Sequence, residues 1–236
     1  MSNLATKRIH NDIKLLKTGI LDKENIYVDF NESDIFKARA LIIGPEIKDS
    51  PYIGGFYFFD IEFPKNYPLS PPKVKFMTLY DRVRFNPNLY KCGKVCLSIL
   101  NTWSGPGWTT SQNLYSVLIS LQSLLHEFPI QNEPGWEKET GKKSEDYNNV
   151  LAYYNIKGAV IHMIENTPEE FMMFKDIIIQ FLVKNFDRYI KFTDKYIHLD
   201  KQQIRSGIYD MTVDFNIKDL QEKLLLLYSE YEHLYK

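Results

Sequence analysis

Two cysteines, Cys92 and Cys96, are the side chains of this sequence best suited to covalent chemistry. A thiolate is an adequate nucleophile without the strong base that a hydroxyl needs. The chain contains only these 2 cysteines, so a disulfide scaffold is excluded, and a zinc site would need ligands from a second cluster that the sequence does not show. In a reducing compartment the pair predicts a free thiol.

The histidines do not supply the general base of a cysteine protease. Such a protease needs an imidazole beside the thiol. Every histidine falls on a predicted helix or near a helix end, where a surface residue or a hydrogen-bonded helix residue is the simpler interpretation. They are His10, His126, His162, His198 and His233.

Both cysteines lie in an irregular stretch, residues 79–110, that shows no sustained helical or strand periodicity. A stretch of this length inside a compact domain is usually functional or disordered. It also contains Trp103 and Trp108, which argues against disorder. We therefore expect a functional loop region, with a core role beneath the loop as the alternative for the two tryptophans.

The residues before this stretch predict one helix and an antiparallel sheet. The helix runs from about Leu4 to Leu16 and stops at Gly19. Strands rich in β-branched and aromatic residues follow, separated by glycine and proline turn signals. The predicted strands are residues 26–30, 38–43, 56–63 and 74–76. Their short connections predict an antiparallel meander.

The residues after the stretch predict helices only. A helix capped by Thr109, Thr110 or Ser111 is expected to end near Glu127, and another spans residues 144–165. The sequence Thr167-Pro168-Glu169-Glu170 combines a capping box with a first-turn proline, and one apolar face continues to Ile190. Asn216 opens a last amphipathic helix through Tyr231. We expect these helices to pack against the sheet.

The composition is that of a folded protein and argues against binding to nucleic acid or anionic lipid. Hydrophobic residues make up 44% and charged residues 25%, which is close to the globular average. With 29 basic and 30 acidic residues there is no strong field for nucleic acid or anionic lipid, so neither partner is expected. No signal peptide or long apolar span appears, so we expect a cytoplasmic protein, with a nuclear location left open.

The spacing of Asn88 and Cys96 has a counterpart in a known family. The sequence Asn86-Pro87-Asn88, followed by Gly93-Lys94-Val95-Cys96-Leu97, resembles the active site of ubiquitin-conjugating enzymes. In that family a His-Pro-Asn tripeptide places its asparagine eight residues before the cysteine of a Gly-x-Ile/Val-Cys-Leu segment. Residues 50–55 resemble the family's hairpin and residues 63–74 its proline-rich loop. Asn86 departs from the pattern, since most members have a histidine there that is regarded as structural.

The resemblance also implies a fold and a domain division. The segments at residues 103–108 and 131–137 resemble large members of the family, the Z type, which carry a helical C-terminal extension. An α+β fold is implied, with a four-stranded antiparallel sheet, an N-terminal helix and following helices. The expected division is a catalytic core at residues 1–145 and a helical extension at 146–236, packed on the core.

The resemblance implies a role for each site residue. Cys96 accepts the carboxyl end of ubiquitin or a related modifier as a thioester, whereas Cys92 lacks the matching context and is an incidental loop thiol. Asn88 either stabilises the oxyanion or holds the active-site loop. Glu133, preceded by Asn132, lies about where the family places a residue that helps to desolvate the attacking lysine, with a solvated loop carboxylate as the alternative. No cofactor or metal is implied.

Partner surfaces are implied less specifically. Lys7 and Arg8 resemble the basic pair that meets the activating enzyme, although such residues are commonly only a solvated helix face. Leu69, with Trp108 nearby, retains an apolar anchor for a ubiquitin ligase, but the family's Ser-Pro-Ala loop is replaced by Thr109-Thr110-Ser111. The expected partners are a modifier, its activating enzyme and protein substrates, with a ligase left open.

Two other functions compete with this one. A catalytically silent module of the same fold would bind ubiquitin or a partner without forming a thioester. Such variants usually lack the cysteine, so Cys96 in its full context argues against this alternative. A structural protein with a fortuitous thiol is the third interpretation.

Overall fold

The computed structural model describes residues 2–235, with a four-stranded antiparallel sheet at its centre. The strands are β1 Ile26–Phe30, β2 Lys37–Ile43, β3 Phe56–Glu62 and β4 Lys73–Phe76, paired in sequence order. The predicted meander is therefore confirmed, and each predicted strand limit lies within one residue of the observed one.

Both faces of β3 are buried, which explains its uninterrupted apolar sequence. Successive side chains of a strand point to opposite faces. On one face the Tyr57 ring lies 5.9 Å from that of Phe85 in the irregular stretch, and on the other the Phe58 ring lies 4.9 Å from that of Phe171. The sheet is thus covered on one side by the irregular stretch and on the other by residues from the C-terminal third.

Helices surround the sheet on both sides. They are α1 Ser2–Leu16, α2 Leu114–Gln122, α3 Lys142–Tyr154, α4 Met163–Glu165, α5 Lys175–Lys184, α6 Phe186–Asp194 and α7 Ile217–Tyr231. The predictions for α1 and α7 are confirmed, and Asn216 caps α7 by accepting a hydrogen bond from the Asp219 amide. The expected α+β class is confirmed. Within residues 2–235, each helix is too short or too polar to cross a lipid bilayer.

The start and end predicted for α2 were wrong. The cap is Asn113, whose Oδ1 accepts a hydrogen bond from the Ser116 amide at 3.0 Å, rather than Thr109, Thr110 or Ser111. The helix ends at Gln122 instead of near Glu127 because the chain turns through residues 123–127. The apolar spacing used for the prediction continues through that turn, with Leu124 and Leu125 both buried.

The predicted helix at residues 144–165 is present but is not α-helical throughout. It starts at Lys142, and its central part, Asn155–His162, is a π-helix between α3 and α4. Long π-helical segments are rare. A Cβ on Gly158 would lie 2.9 Å from the Tyr80 ring, so glycine is required where this segment passes the aromatic side chain.

The helix predicted to start at Thr167 is interrupted twice. The Thr167 hydroxyl donates to the Met163 carbonyl at 2.6 Å instead of capping the next turn, so the expected capping box does not form. A 3₁₀-helix, Glu169–Phe174, precedes α5. A second break at Asn185 separates α5 from α6, and the Asn185 side chain there donates to the Phe181 carbonyl.

The expectation that the last third is entirely helical was wrong. Two short strands, β5 Gln203–Arg205 and β6 Thr212–Asp214, pair as an antiparallel hairpin between α6 and α7. Three-residue strands are too short to show a period of two, so the sequence pattern could not reveal them. The loop of this hairpin, residues 206–211, is the part of the C-terminal third that reaches the candidate site.

Candidate active site

The irregular stretch is folded by isolated bridges and one tight turn. Leu89 pairs with Val95, and Lys94 pairs with Lys75 of β4. The turn between them needs Gly93, which has φ of +88° and whose added Cβ would lie 2.8 Å from the Phe76 carbonyl oxygen. This turn brings the chain back beside Asn88 just before Cys96, which accounts for the glycine three residues before the cysteine.

Cys96 and Asn88 are joined by two hydrogen bonds. The Cys96 amide donates to the Asn88 carbonyl at 2.9 Å, and the Asn88 side-chain Nδ2 donates to the Cys96 carbonyl at 2.6 Å. Cys96 is 2% exposed and Asn88 is 7% exposed. The predicted pair is thus brought together, with the Asn88 amide engaged by the backbone of the nucleophile. Cys92, by contrast, is exposed on the preceding turn.

Asn86 is a fully buried hydrogen-bonding centre beneath this pair. Its Nδ2 donates to the Leu124 carbonyl at 2.8 Å and to the Tyr52 hydroxyl at 3.1 Å. Its Oδ1 accepts from the Asn88 amide at 2.9 Å. A neutral imidazole has one donor and one acceptor, whereas an amide has two of each. The departure from histidine therefore fits a position that uses both donors of the side chain.

Asn132 and Glu133 approach the site from the loop after α2. A 3₁₀-helix, Pro129–Asn132, places the Asn132 Nδ2 3.4 Å from the Asn86 Oδ1, while its Oδ1 lies 3.3 Å from His126 Nε2. His126 was assigned to a helix or its end, but it lies in the bend after α2 and its Nδ1 accepts from the Phe128 amide. Glu133 is half-buried and accepts a hydrogen bond from the Tyr209 hydroxyl.

Tyr209 belongs to the hairpin loop that sequence reasoning missed. Burial, followed by the hydrogen bond to Glu133, raises the pKa of Tyr209 well above its usual range. The phenol therefore stays protonated at neutral pH and acts as a donor to the carboxylate. No signal in the sequence could have found it, because it follows Glu133 by more than seventy residues and lies in a segment predicted as helix.

Arg84 is a second residue that the sequence did not single out. Its guanidinium carbon lies 3.8 Å from the ring centre of Tyr90 and 4.1 Å from that of Tyr209, so it is sandwiched between the two rings. Its Nη2 donates to the Pro87 carbonyl at 2.6 Å, within the Asn-Pro-Asn segment. Arg84 thus links the hairpin loop to the backbone that carries Asn88.

Two of the candidate partner residues, Leu69 and Trp108, lie beside each other. Leu69 is 63% exposed, and the Trp108 indole donates to the neighbouring Pro68 carbonyl at 2.7 Å. The half-buried Trp108 is thereby fixed beside Leu69, while Trp103 is 39% exposed, so neither tryptophan is a fully buried core residue. Lys7 is exposed on α1.

Arg8 is held by the protein itself. Its Nη2 donates to the Gln112 carbonyl at 2.7 Å, and its Nε lies 3.5 Å from the Asp12 carboxylate. Asp12 also accepts a hydrogen bond from the Tyr67 hydroxyl, and burial raises the pKa of this carboxyl. Of the predicted basic pair, Lys7 is the exposed member and Arg8 is the one with internal partners.

Comparisons with known proteins agree with this geometry. The family model described as ubiquitin-conjugating enzyme matches residues 8–154. Ubiquitin-conjugating enzyme E2 Z of Xenopus tropicalis is 36% identical over 230 residues, with 97% of this chain and 72% of that protein covered. Its human counterpart is 40% identical over 199 residues, with 82% of this chain covered, and this chain spans 55% of its length.

Among solved structures, human ubiquitin-conjugating enzyme E2 G1 is 32% identical, with a TM-score of 0.42, covering 50% of this chain and 90% of that one. The family model alone spans more than half of the chain and includes Asn88, Cys96 and Glu133. The resemblance to the family, and to its Z type, is confirmed by these relatives. This chain therefore belongs to the ubiquitin-conjugating enzyme family.

Proposed function

We propose that the chain carries ubiquitin or a ubiquitin-like modifier as a thioester on Cys96 and transfers it to lysine side chains. The observation that carries this proposal is the doubly hydrogen-bonded pair of Cys96 and Asn88 within the part of the chain that matches the family model.

Loading is an exchange of one thioester for another and needs no ATP at this step. The Cys96 thiolate attacks the carbonyl carbon of the modifier thioester on the activating enzyme, a new carbon–sulfur bond forms, and the activating enzyme's cysteine leaves as a thiolate. The number of thioesters is conserved. A thiolate serves here because it needs no strong base beside it.

Transfer converts the thioester into an amide. A lysine ammonium loses one proton, its nitrogen attacks the carbonyl carbon, and the adduct loses a second proton as the carbon–sulfur bond breaks and Cys96 leaves as a thiolate. We assign Glu133 to the approach of the lysine, with Asn132 fixing the start of that loop on Asn86. Asn88 holds the nucleophile's backbone through its bond to the Cys96 carbonyl.

The domain division follows the same proposal. We keep residues 1–145 as the catalytic core and 146–236 as a helical extension packed on it. The contact of the Phe58 ring with Phe171, and the bond from the Tyr189 hydroxyl to the Gly54 carbonyl at 2.7 Å, support this packing. The division falls within α3, so the last helix of the core continues directly into the extension.

The proposed partners are the modifier, its activating enzyme and protein substrates. Lys7 and Arg8 of α1 are the candidate contact for the activating enzyme, and Leu69 with Trp108 is the candidate contact for a ligase. Neither nucleic acid nor a membrane is among the proposed partners. We place the activity in the cytoplasm, where such a conjugation pathway acts in the absence of oxidised thiols.

A charging assay tests the proposal. The chain is mixed with a ubiquitin-activating enzyme, ATP and ubiquitin, and separated on non-reducing and reducing gels. A species larger by one modifier, about 8 to 9 kDa, should form and disappear on reduction. Cys96→Ala should abolish it and the matched variant Cys92→Ala should not. Cys96→Ser should give an ester that survives reduction.

The silent binding module predicts a different result. In that case folded protein would bind ubiquitin without any covalent species, with every activating enzyme and modifier tried, and Cys96→Ala would leave binding unchanged. A covalent species that survives Cys96→Ala and is lost with Cys92→Ala would move the chemistry to the other thiol.

A further inference from the structure

The hairpin loop of the C-terminal third contacts the candidate lysine-approach residue directly. The Tyr209 hydroxyl donates a hydrogen bond to the Glu133 carboxylate. Both side chains are half-buried, so the contact lies at the surface of the site rather than in the core. Through this bond the proposed extension contacts a residue that we assign to the transfer step.

Tyr209 is held in place on the side away from Glu133. Its ring packs on the Arg84 guanidinium at 4.1 Å and lies edge-on to the Tyr147 ring at 6.0 Å. The Tyr147 hydroxyl donates to the Arg84 carbonyl at 3.0 Å, and the Arg84 amide donates to the Met211 sulfur at 3.4 Å. The hairpin loop and the segment that precedes Asn88 therefore restrain each other's position.

The backbone of the loop is arranged to direct this side chain. Tyr209 has φ of +66° and Asp210 has φ of +51°, a left-handed conformation that is unfavourable for a bulky residue. The turn is closed by the Ser206 amide, which donates to the Met211 carbonyl at 2.8 Å. Because this backbone does not favour tyrosine, the contacts of the side chain rather than the backbone conformation account for a tyrosine at this position.

We propose that Tyr209 is a positioning residue for lysine transfer, which holds the Glu133 carboxylate in one orientation beside the loaded thioester. The C-terminal hairpin thereby contributes to the second step of the reaction and not to the first. The inference rests on the proposed function, since it concerns transfer from Cys96.

A phenol is suited to this role. Because the pKa of Tyr209 is raised, its hydroxyl stays neutral and donates to a carboxylate that remains an acceptor. A cationic donor would instead neutralise the carboxylate charge that stabilises an approaching ammonium. Phenylalanine keeps the ring against Arg84 and removes only the bond to Glu133.

The experiment is single-turnover discharge of enzyme already loaded with ubiquitin. Tyr209→Phe should load to the same extent as the unmodified chain but discharge onto free lysine about 10-fold more slowly, as expected when a hydrogen bond to a charged group is lost. Tyr154→Phe is the matched control, since the Tyr154 hydroxyl contacts the same hairpin at the Thr212 carbonyl, 3.4 Å away. It should discharge at the normal rate.

Two further comparisons separate positioning from a structural effect. Hydroxylamine attacks without first losing a proton at neutral pH, so its reaction with the Tyr209→Phe thioester should be unchanged, and the lysine-to-hydroxylamine rate ratio does not depend on how much enzyme is folded. In a Glu133→Gln background, Tyr209→Phe should produce no further loss of lysine discharge.

Two results would overturn the proposal and leave Tyr209 a structural residue. In the first, Tyr209→Phe slows discharge onto lysine and hydroxylamine equally. In the second, Tyr209→Phe has an undiminished effect in the Glu133→Gln background. Failure of the unmodified chain to load would overturn the proposed function, and this inference with it. Normal loading with normal lysine discharge by Tyr209→Phe would overturn this inference alone.

Discussion

At the scale of single residues, Asn88 is the side chain whose role the structure resolves further than the motif does. The motif is compatible with an oxyanion donor or with a loop support. In the structure, the Asn88 side-chain Nδ2 donates a hydrogen bond to the Cys96 carbonyl at 2.6 Å. The Asn88 Oδ1 has no hydrogen-bond partner among residues 2–235. The geometry favours loop support, since the donor is engaged before any substrate arrives.

Replacing Asn88 by alanine should therefore lower stability as well as activity. We expect the free energy of unfolding to fall by about 1–2 kcal/mol, because the buried Cys96 carbonyl loses its donor. Denaturant unfolding and thioester loading measure the two effects. Asn148→Ala is the matched control. The Asn148 Nδ2 donates to the Glu127 carbonyl over 2.7 Å, and this bond does not involve the Cys96 backbone.

The control should lose similar stability and load normally. An Asn88→Ala variant with unchanged unfolding and a transfer rate lower by about 10² to 10³ would instead show that the amide acts on the oxyanion.

Predictability at this scale depended on distance along the chain. Cys96, Asn88, Asn132 and Glu133 could be proposed as site residues because the family's motifs are short linear patterns. Arg84 and Tyr209 were missed because the contact between them, and the bond from Tyr209 to Glu133, join remote segments, and neither residue type is chemically unusual where it stands. A buried contact between distant segments leaves no periodic or compositional trace.

At the scale of elements, α2 shows how local capping chemistry decides a boundary. Of the five residues from Thr109 to Asn113, all except Gln112 have the side-chain chemistry of a cap. The structure uses Asn113, because its extended backbone lets Oδ1 reach the Ser116 amide. The choice is set by the path of the preceding loop, which Arg8 pins through the Gln112 carbonyl. The backbone path of this loop cannot be inferred from the sequence pattern.

Asn113→Ala should lower the free energy of unfolding by about 1 kcal/mol, the usual value of a side-chain cap. Thr110→Ala is the control from the group of residues that the pattern offered as caps, and Thr110 is exposed. Chemical denaturation followed by far-ultraviolet circular dichroism measures both. Equal losses for the two variants would contradict the assignment of the cap.

The strands and the long amphipathic helices were predictable for a different reason. β1, β2, β3 and these helices have five or more residues each, so that their apolar pattern is visible against the surrounding sequence. The hairpin β5–β6, the π-helical segment and the break at Asn185 were not visible, because they depend on hydrogen bonds that redirect the backbone without changing the apolar pattern.

At the scale of the whole molecule, the aromatic contacts across β3 join the two proposed parts of the chain into one core. The Phe58 ring lies 4.9 Å from that of Phe171 in a tilted arrangement and 6.3 Å from that of Phe174, and the Phe56 ring meets Phe181 edge-on at 6.1 Å. All of the β3 phenylalanines are fully buried. Unfolding of the extension would expose Phe56 and Phe58, so we expect the chain to unfold in one transition.

Phe171→Ala should accordingly destabilise the active-site end together with the extension. We expect a loss of about 3–5 kcal/mol, as for other large-to-small changes at buried aromatic positions. Unfolding followed by tryptophan fluorescence, which reports on residues 103–136, and by circular dichroism should shift together. Met172→Ala, on the same 3₁₀-helix but 50% exposed, should change stability by less than about 0.5 kcal/mol. Two separated transitions would contradict a shared core.

The residues that cover the outer face of β3 are translated long after β3 itself. Phe58 leaves the ribosome more than one hundred residues before Phe171, the residue that shields it. At roughly 5–20 residues per second, the outer face of β3 stays uncovered for on the order of 10 seconds. During that interval the nascent chain presents a row of phenylalanines to its surroundings. A chaperone that binds apolar strands is thus expected to meet this protein while it is still being translated.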